Sequence, residues 1–433
     1  MGILAILFII AAVIGIIAGM DQLVDSVRRK FTKKEATSHT ELSEAQIDLI
    51  AQRITKILAL DERGEIDEGA DINKLKASED ELEAALRQMP SLDAESALHL
   101  AYAFSLSWDY QGRREDARKV LRDALERVLA QGQSAPADLQ ILVLDRASLL
   151  AIKQADCKEG EAYANKMSEL GRETGRELVE ATALQRLGRL RYLCCEFDQA
   201  RDLLEESLIK FQNLKPADFD WRKIAWVQFD LGELEVDQGN FTVARDWLKK
   251  SLDSYQRSGL TDNNSEGTLR VNFAFVLHRL GDRQGARAQM TAAGKVLEHE
   301  GRQENYFRWY LHFCGRMAMS EGDLSRADKF FKDSLEIFYA RKDGLGVVRS
   351  LLGFSCLAAM EGKYVKAARL LGAENSLRSG EVGLPQPPLD WKSEVELMES
   401  HARGALGQTA FDAARAKGML MTLEEAVATT LSR

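Results

Sequence analysis

The chain has 433 residues and a formal net charge of −9, with 58 lysines and arginines against 67 aspartates and glutamates. Nucleic-acid binding depends on a clustered excess of basic side chains, so this balance disfavours a general nucleic-acid binder. Only 6 residues are proline, and the abundant alanine, leucine, glutamate and arginine are good helix formers, so the composition predicts an all-α protein.

The chain begins with an apolar run, since residues 2–20 carry no charged side chain. As an α-helix with a rise of ~1.5 Å per residue, the run would extend over roughly 28 Å, close to the hydrocarbon thickness of a bilayer. The sequence therefore predicts a transmembrane helix within residues 1–20, which contacts the lipid bilayer through residues 2–20. A cleaved signal peptide is the alternative, although a preceding basic side chain and a small-residue cleavage site are missing.

The charges on either side of this helix predict its orientation. Basic residues follow the apolar run and none precedes it: Arg28, Arg29, Lys30, Lys33 and Lys34. Because basic flanks stay on the cytoplasmic side, we expect a single-pass protein of the bacterial inner (cytoplasmic) membrane with its C-terminal part in the cytoplasm. Residues 21–91 are then a basic and polar juxtamembrane segment with short helices.

From residue 92 onward the sequence repeats itself around a series of turn residues. These are Gly112, Cys195, Gly239, Gly281, Gly322 and Gly362. Alanine stands five residues after each turn, a large apolar residue nine after, and a small residue seven before. The last four intervals are 40 to 44 residues long, whereas the first is 83, which predicts a decayed copy that turns near residues 155–157.

Each copy is expected to fold as two antiparallel helices. Two helices approach closely where side chains are small, so the small residue of the first helix should face the alanine of the second. The large apolar residues then fill the space between hairpins, because one hairpin cannot bury its apolar faces alone. We therefore predict a solenoid of helical hairpins over residues 92–378 and capping helices over residues 379–433.

The repeated pattern resembles the tetratricopeptide repeat. It is clearest over residues 231–252, where an apolar-small pair is followed by G-x-F-x-x-A-x-x-x-L-x-x-S-L. The period is longer than that of the usual tetratricopeptide unit, and the prolines expected between units are missing. The resemblance implies a right-handed superhelical solenoid whose concave groove binds other proteins.

A second, narrower resemblance lies towards the C-terminus. Residues 368–374 (ARLLGAE), 385–388 (PQPP) and 423–427 (LEEAV) look like the end of large bacterial regulators. Those regulators join an NTPase module, and often a LuxR-type DNA-binding domain, to such repeats. This chain has no G-x-x-x-x-G-K-[ST] motif and no recognisable helix-turn-helix, so the resemblance implies a sensing or docking scaffold alone.

Motifs that carry chemistry are missing from the sequence. No two of its 6 histidines have the i, i+4 spacing of a helical metal pair, and neither G-x-S-x-G nor G-x-G-x-x-G occurs. We therefore predict no catalytic residue, no metal site and no cofactor, and a protein that is not an enzyme. The 5 cysteines are odd in number and lack a CxxC pair, which is typical of unpaired core thiols.

The candidate binding surface is the concave groove of the solenoid. The first helix of each hairpin lines this groove, and residues at a spacing of three to four point into it. Their charge changes along the groove from basic to acidic and back to basic. The candidate groove residues are His99, Tyr102, Arg186, Arg189, Asp230, Glu233, Asn272, Phe275, His312 and Arg316.

Three hypotheses for function follow from these features. The first is a membrane-anchored, cytoplasm-facing scaffold or adaptor that binds other proteins through the groove. The second is a regulatory or signalling partner subunit, whose effector domain is supplied by another chain. The third is a periplasmic repeat protein of envelope assembly. Neither the partner nor the oligomeric state follows from the sequence.

Overall fold

The computed structural model describes residues 92–110, 113–132, 134–154, 156–215, 219–259, 263–298, 307–341, 343–380 and 391–431. The predicted transmembrane helix and juxtamembrane segment (residues 1–91) lie outside the described residues. Within the described ranges, no helix is both long and apolar enough to cross a membrane.

Seventeen α-helices make up the described part of the chain, which contains no strand, so the all-α prediction is confirmed. They are α1 (Ala94–Tyr110), α2 (Arg114–Leu129), α3 (Ala137–Lys153), α4 (Cys157–Glu173), α5 (Glu177–Leu193), α6 (Phe197–Gln212), α7 (Trp221–Asp237), α8 (Phe241–Arg257), α9 (Asn263–Arg279), α10 (Arg283–Glu298), α11 (Phe307–Ser320), α12 (Leu324–Ala340), α13 (Gly344–Met360), α14 (Tyr364–Ser379), α15 (Lys392–Leu406), α16 (Gln408–Met419) and α17 (Leu423–Leu431).

The first fourteen of these helices pair in chain order into seven hairpins. Each second helix also packs against the first helix of the next hairpin, and the first helices of successive hairpins contact one another. The first helices therefore form an inner layer and the second helices an outer one. The predicted repeat array is confirmed, and it includes the decayed copy, which folds as α3 and α4.

Residues in the left-handed backbone conformation connect the helices of a hairpin. Gly239 has φ 78°, its amide donates to the carbonyl of Val236 (3.0 Å), and the amide of Asn240 donates to Glu235 (2.9 Å). This pair of hydrogen bonds is a Schellman motif, which ends a helix at a residue with positive φ. Cys195 takes the same conformation, with φ 62°, without being a glycine.

The small residue of each first helix makes room for a large side chain. A Cβ atom on Gly188 would lie 2.8 Å from Cγ of Leu204, and one on Gly232 would lie 2.7 Å from Cδ2 of Leu248. The predicted contact with the alanine accounts for only part of this approach, through the carbonyl of Ala200, 3.2 Å from the Cβ position on Gly188. The leucine fills the gap because long side chains on a helix reach across to the facing helix.

A serine further along the second helix holds the two helices of a hairpin together. The hydroxyl of Ser207 donates to the carbonyl of Ala181 and that of Ser251 to the carbonyl of Ala225, each over 2.7 Å. Both serines are fully buried. The same hydrogen bond thus recurs at the same position of consecutive repeats.

The last three helices pack on the C-terminal hairpins. Helix α15 contacts α13 and α14, and α17 contacts α12, α13 and α14. Helix α16 crosses α14 so closely that a Cβ atom on Gly372 or Gly418 would overlap a backbone carbonyl of the facing helix. Glycine is therefore required on both sides of this crossing.

The cysteines differ from the prediction at one place. Cys157, at the start of α4, and Cys194, at the end of α5, form a disulfide with their Cα atoms 6.8 Å apart. The antiparallel packing of these two helices brings together residues that are 37 positions apart in the chain. Cys195, Cys314 and Cys356 are free thiols, as predicted.

Candidate protein-binding groove

The inner layer begins with a buried carboxylate that joins the first two hairpins. Asp109 of α1 accepts from Arg114 (3.0 Å), from Arg146 of α3 (3.0 Å) and from Lys153 of α3 (2.6 Å). Burial acts to raise the pKa of Asp109, but the charges of Lys153 and Arg146 overcome it and hold the pKa well below its usual range. Burial also lowers the pKa of Lys153 to about 8, against the opposing charge of Asp109.

This cluster was not predicted from the sequence, because the second copy of the repeat has lost its turn glycine. One signal was present, since Arg146 stands nine residues before the turn position at 155, as Arg186 does before Cys195. A register carried over from the intact copies would have placed Arg146 on the inner layer.

The next contact along the inner layer joins α3 to α5. Arg186 is half-buried, and its Nε atom donates to Oδ1 of Asp145 over 2.8 Å. Burial acts to raise the pKa of Asp145, but the Arg186 charge brings it below its ordinary value. The predicted groove residue Arg186 is thus paired across two hairpins.

The contact between α5 and α7 brings together three of the predicted residues. Arg189 of α5 donates to Asp230 (3.2 Å) and forms an ion pair with Glu233, both on α7. Gln185 also donates to Asp230, over 2.9 Å. Burial raises the pKa of Asp230 to about 6, and the charge of Arg189 offsets only part of that effect. The guanidinium of Arg189 lies 4.9 Å from the ring centre of Tyr192.

Aromatic contacts replace ion pairs further along the inner layer. Phe275 of α9 is buried, with its ring 5.1 Å from that of Phe313 of α11. The guanidinium of Arg316 lies 4.5 Å from the ring centre of Phe275. Asn272, one turn before Phe275, is half-buried and donates to the carbonyl of Thr268 in its own helix (3.0 Å).

His99 and Tyr102 occupy the other end of the array. Both are half-buried on α1. Helix α1 contacts α2 and α3, so these two residues lie two hairpins away from Arg186 on α5. The ten predicted residues therefore do not form one cluster but are spread along the inner layer.

His312 and Arg316 of α11 are covered by the chain itself. His312 is fully buried, and its ring centre lies 5.8 Å from that of Trp391. The guanidinium of Arg316 lies 4.0 Å from the ring centre of Trp391, and its Nη2 atom donates to Glu394 over 3.2 Å. Arg279 of α9 also forms an ion pair with Glu394.

The covering segment is Trp391 together with the start of α15, and its side chains reach the inner layer. Trp391, immediately before the helix, contacts α11, and Glu394 in the first turn contacts α9 and α11. The second turn reaches α13, where the Ser355 hydroxyl lies 3.8 Å from Sδ of Met398. The sequence predicted capping helices in this region without placing any of them in the groove. Trp391 and Glu394 are the inner-layer residues that it missed.

The described ranges contain no group of three or more histidine, cysteine or carboxylate side chains that could hold a metal ion. What converges instead is a set of oppositely charged pairs between neighbouring first helices. The seven hairpins stack so that their first helices form one continuous inner layer, which is the arrangement of a helical repeat protein. The fold is a tetratricopeptide-like helical repeat.

Comparison with protein families gave no match, and comparison with curated protein sequences gave none either. Among solved structures, BtubC from P. vanneervenii is 19% identical and matches 53% of this chain and 94% of its own, with a TM-score of 0.41. A Rap protein complexed with competence and sporulation factor is 14% identical over 77% of this chain and 99% of its own, with a TM-score of 0.47. The quorum sensor NprR from B. thuringiensis is 13% identical over 79% and 94%, also with a TM-score of 0.47. These similarities concern the fold and say nothing about function.

Proposed function

We propose that this tetratricopeptide-like protein is a scaffold or adaptor that binds other proteins along the inner layer of its repeats. In this proposal residues 2–20 anchor it in the bacterial cytoplasmic membrane and the repeats face the cytoplasm. The observation that carries the proposal is the position of α15. Side chains of the first two turns of this helix contact α11 and α13 on the inner layer, and docking of a helix into a groove is a common mode of protein recognition.

The charged pairs of α5 and α7 are the part of the groove that we expect to read a partner. Arg189 and Glu233 are each about a quarter exposed, so a ligand can reach both side chains. Charges in such a position select partners by complementary order of sign rather than by adding much affinity. We therefore assign partner selection to this pair and its neighbour Arg186.

The test compares two variants by crosslinking in membranes followed by affinity isolation. Arg189→Glu reverses one charge and breaks the ion pair, whereas Arg189→Glu/Glu233→Arg reverses the order of charges and keeps the pair. We expect both variants to lose the crosslinked partner. The double variant should melt closer to wild type than Arg189→Glu does, because it keeps an ion pair between positions 189 and 233, although the carboxylate at position 189 then faces Asp230. If the double variant retains the partner, the pair serves stability alone. If both retain it, this part of the inner layer is not the binding surface.

Topology needs a separate experiment, since the anchor lies outside the described residues. Fusion of alkaline phosphatase or a fluorescent protein to the C-terminus reports which side of the membrane the repeats occupy. We expect fluorescence without phosphatase activity, because the basic flank after residue 20 favours a cytoplasmic C-terminal part. An active phosphatase fusion would instead support the periplasmic hypothesis.

A further inference from the structure

We propose that α15 is an internal ligand of the groove. Trp391 and Glu394 fill a site on α9 and α11 that takes, from a partner, a helix with an aromatic residue and a carboxylate one turn apart. Docking of α15 and binding of such a partner helix are then mutually exclusive. This inference rests on the proposed function of the groove and names the chemistry of its partner.

The aromatic half of the site is built by Arg316. Its guanidinium lies between two rings, 4.5 Å from the centre of Phe275 and 4.0 Å from that of Trp391. Trp391 is fully buried in the core cluster of the last hairpins, and its ring centre lies 5.8 Å from that of His312. Because Phe275 of α9 occupies one face of the guanidinium, the other face is available to a second aromatic ring.

The carboxylate half is built by two arginines from different hairpins. Arg279 of α9 and Arg316 of α11 converge on Oε1 of Glu394, and Arg279 also donates to the Ser393 hydroxyl over 3.2 Å. Two guanidinium groups that donate to one carboxylate oxygen make this point of the groove a match for an acidic side chain. Residues three apart on a helix present the ring and the carboxylate on one face.

Helix α15 buries fewer residues than α13 does. Apart from Trp391 before its first residue, only Met398 and Ala402 are buried, whereas α13 buries thirteen of its seventeen residues. Leu397 on the outer side of α15 is 59% exposed. A single residue with positive φ, Gly407, joins α15 to α16, and α16 is held by its glycine crossing with α14. Helix α15 can thus leave the inner layer while α16 stays in place.

The test uses the full-length protein in detergent and a fluorescent peptide with the sequence of residues 391–406. We expect the variant Trp391→Ala/Glu394→Ala to bind this peptide at least tenfold more tightly than wild type does, a difference of about 1.4 kcal/mol, because the internal competitor is gone. The same peptide carrying both alanines should not bind. Leu397→Ala in the protein is the matched control, since it alters an exposed side of the same helix, and should leave binding at the wild-type level.

A second measurement needs no variant. In the wild-type protein, an excess of the peptide should raise deuterium uptake over residues 392–406 while leaving residues 364–379 unchanged. If a folded Trp391→Ala/Glu394→Ala protein does not bind the peptide, and uptake does not change in wild type, then α15 is a fixed structural helix and the inference is wrong. Partner crosslinking at Arg189 would survive that outcome, so the proposed function can stand or fail separately.

Discussion

At the scale of single residues, the inner layer lowers the pKa of one buried aspartate and raises the pKa of another. Asp109 is surrounded by three cations, which keep it charged, whereas Asp230 shares its arginine with Glu233 and is more strongly affected by burial. The pKa values of these two inner-layer aspartates are therefore shifted in opposite directions. Of the two, Asp230 is the one that changes charge closer to physiological pH.

This difference predicts how stability depends on pH. Because the pKa of Asp230 rises from 3.8 to about 6 on folding, the folded state binds the extra proton. The stability contributed by that proton is complete below the unfolded pKa and is lost as pH rises through about 6. Relative to wild type, Asp230→Asn should gain about 1.4 kcal/mol of unfolding free energy between pH 5 and pH 8. Urea denaturation at both pH values measures this gain.

The control for this experiment is Asp246→Asn, which alters an exposed carboxyl on α8 of the outer layer. Its unfolding free energy should follow that of wild type at both pH values. Equal pH dependence of Asp230→Asn and wild type would mean that Asp230 stays charged throughout, with Arg189 outweighing burial.

At the scale of the hairpin, the sequence predicts where two helices meet better than it predicts which side chains fill the space between them. The recurrent small residue correctly marked where two helices meet, since spacing along a chain reveals a helix face. It could not reveal that Leu248, rather than Ala244, fills the space at Gly232, because that depends on the direction of a side chain on another helix.

The same contact predicts the cost of adding one methyl group. Gly232→Ala should lower the unfolding free energy by about 1–3 kcal/mol, since the new Cβ would lie 2.7 Å from a leucine side chain in a packed core. Gly404→Ala is the matched control, because the space around Gly404 on α15 is open. It should be neutral or gain up to about 1 kcal/mol from helix propensity. Similar effects of the two substitutions in thermal melts would contradict this packing.

Contacts between hairpins were the least predictable from the sequence. A helical face was assigned to Arg186 and Arg189, but their partners Asp145 and Asp230 follow from the offset between neighbouring hairpins, which no local pattern records. The contact of Arg316 with Glu394 spans 78 residues and joins a repeat to a helix outside the repeats. The repeat period carries no information about such a contact, so the sequence could not show that Glu394 fills this part of the groove.

At the scale of the whole repeat array, the first helices differ in the contacts that link them. Ion pairs link α1, α3, α5 and α7 to one another, whereas α13 contributes nine buried apolar residues to the core cluster of the last hairpins. In a stacked array each interface contributes its own term to stability, so the ends need not open together. Salt distinguishes the two, because it screens charges without weakening apolar contacts.

We therefore expect hydrogen exchange to become uneven at high salt. Raising KCl from about 0.1 M to about 1 M shortens the Debye length from about 10 Å to about 3 Å. Amide exchange in α3 and α5 should then rise about threefold, equivalent to roughly 0.6 kcal/mol for a partly exposed ion pair, while α13 should exchange as before. A uniform change along the array would show that the ion pairs do not decide the stability of its first hairpins.

The paired charges of the inner layer also determine which ligands can bind there. Arg186, Arg189, Asp230 and Glu233 already satisfy one another or a neighbouring carboxylate. A ligand must therefore exchange places with an existing partner, taking over one charge and releasing the other to water. The affinity of such a groove for a ligand depends on the order of the charges along the ligand and very little on the ligand's net charge. Two peptides of identical composition, one with its acidic and basic residues transposed, would be told apart.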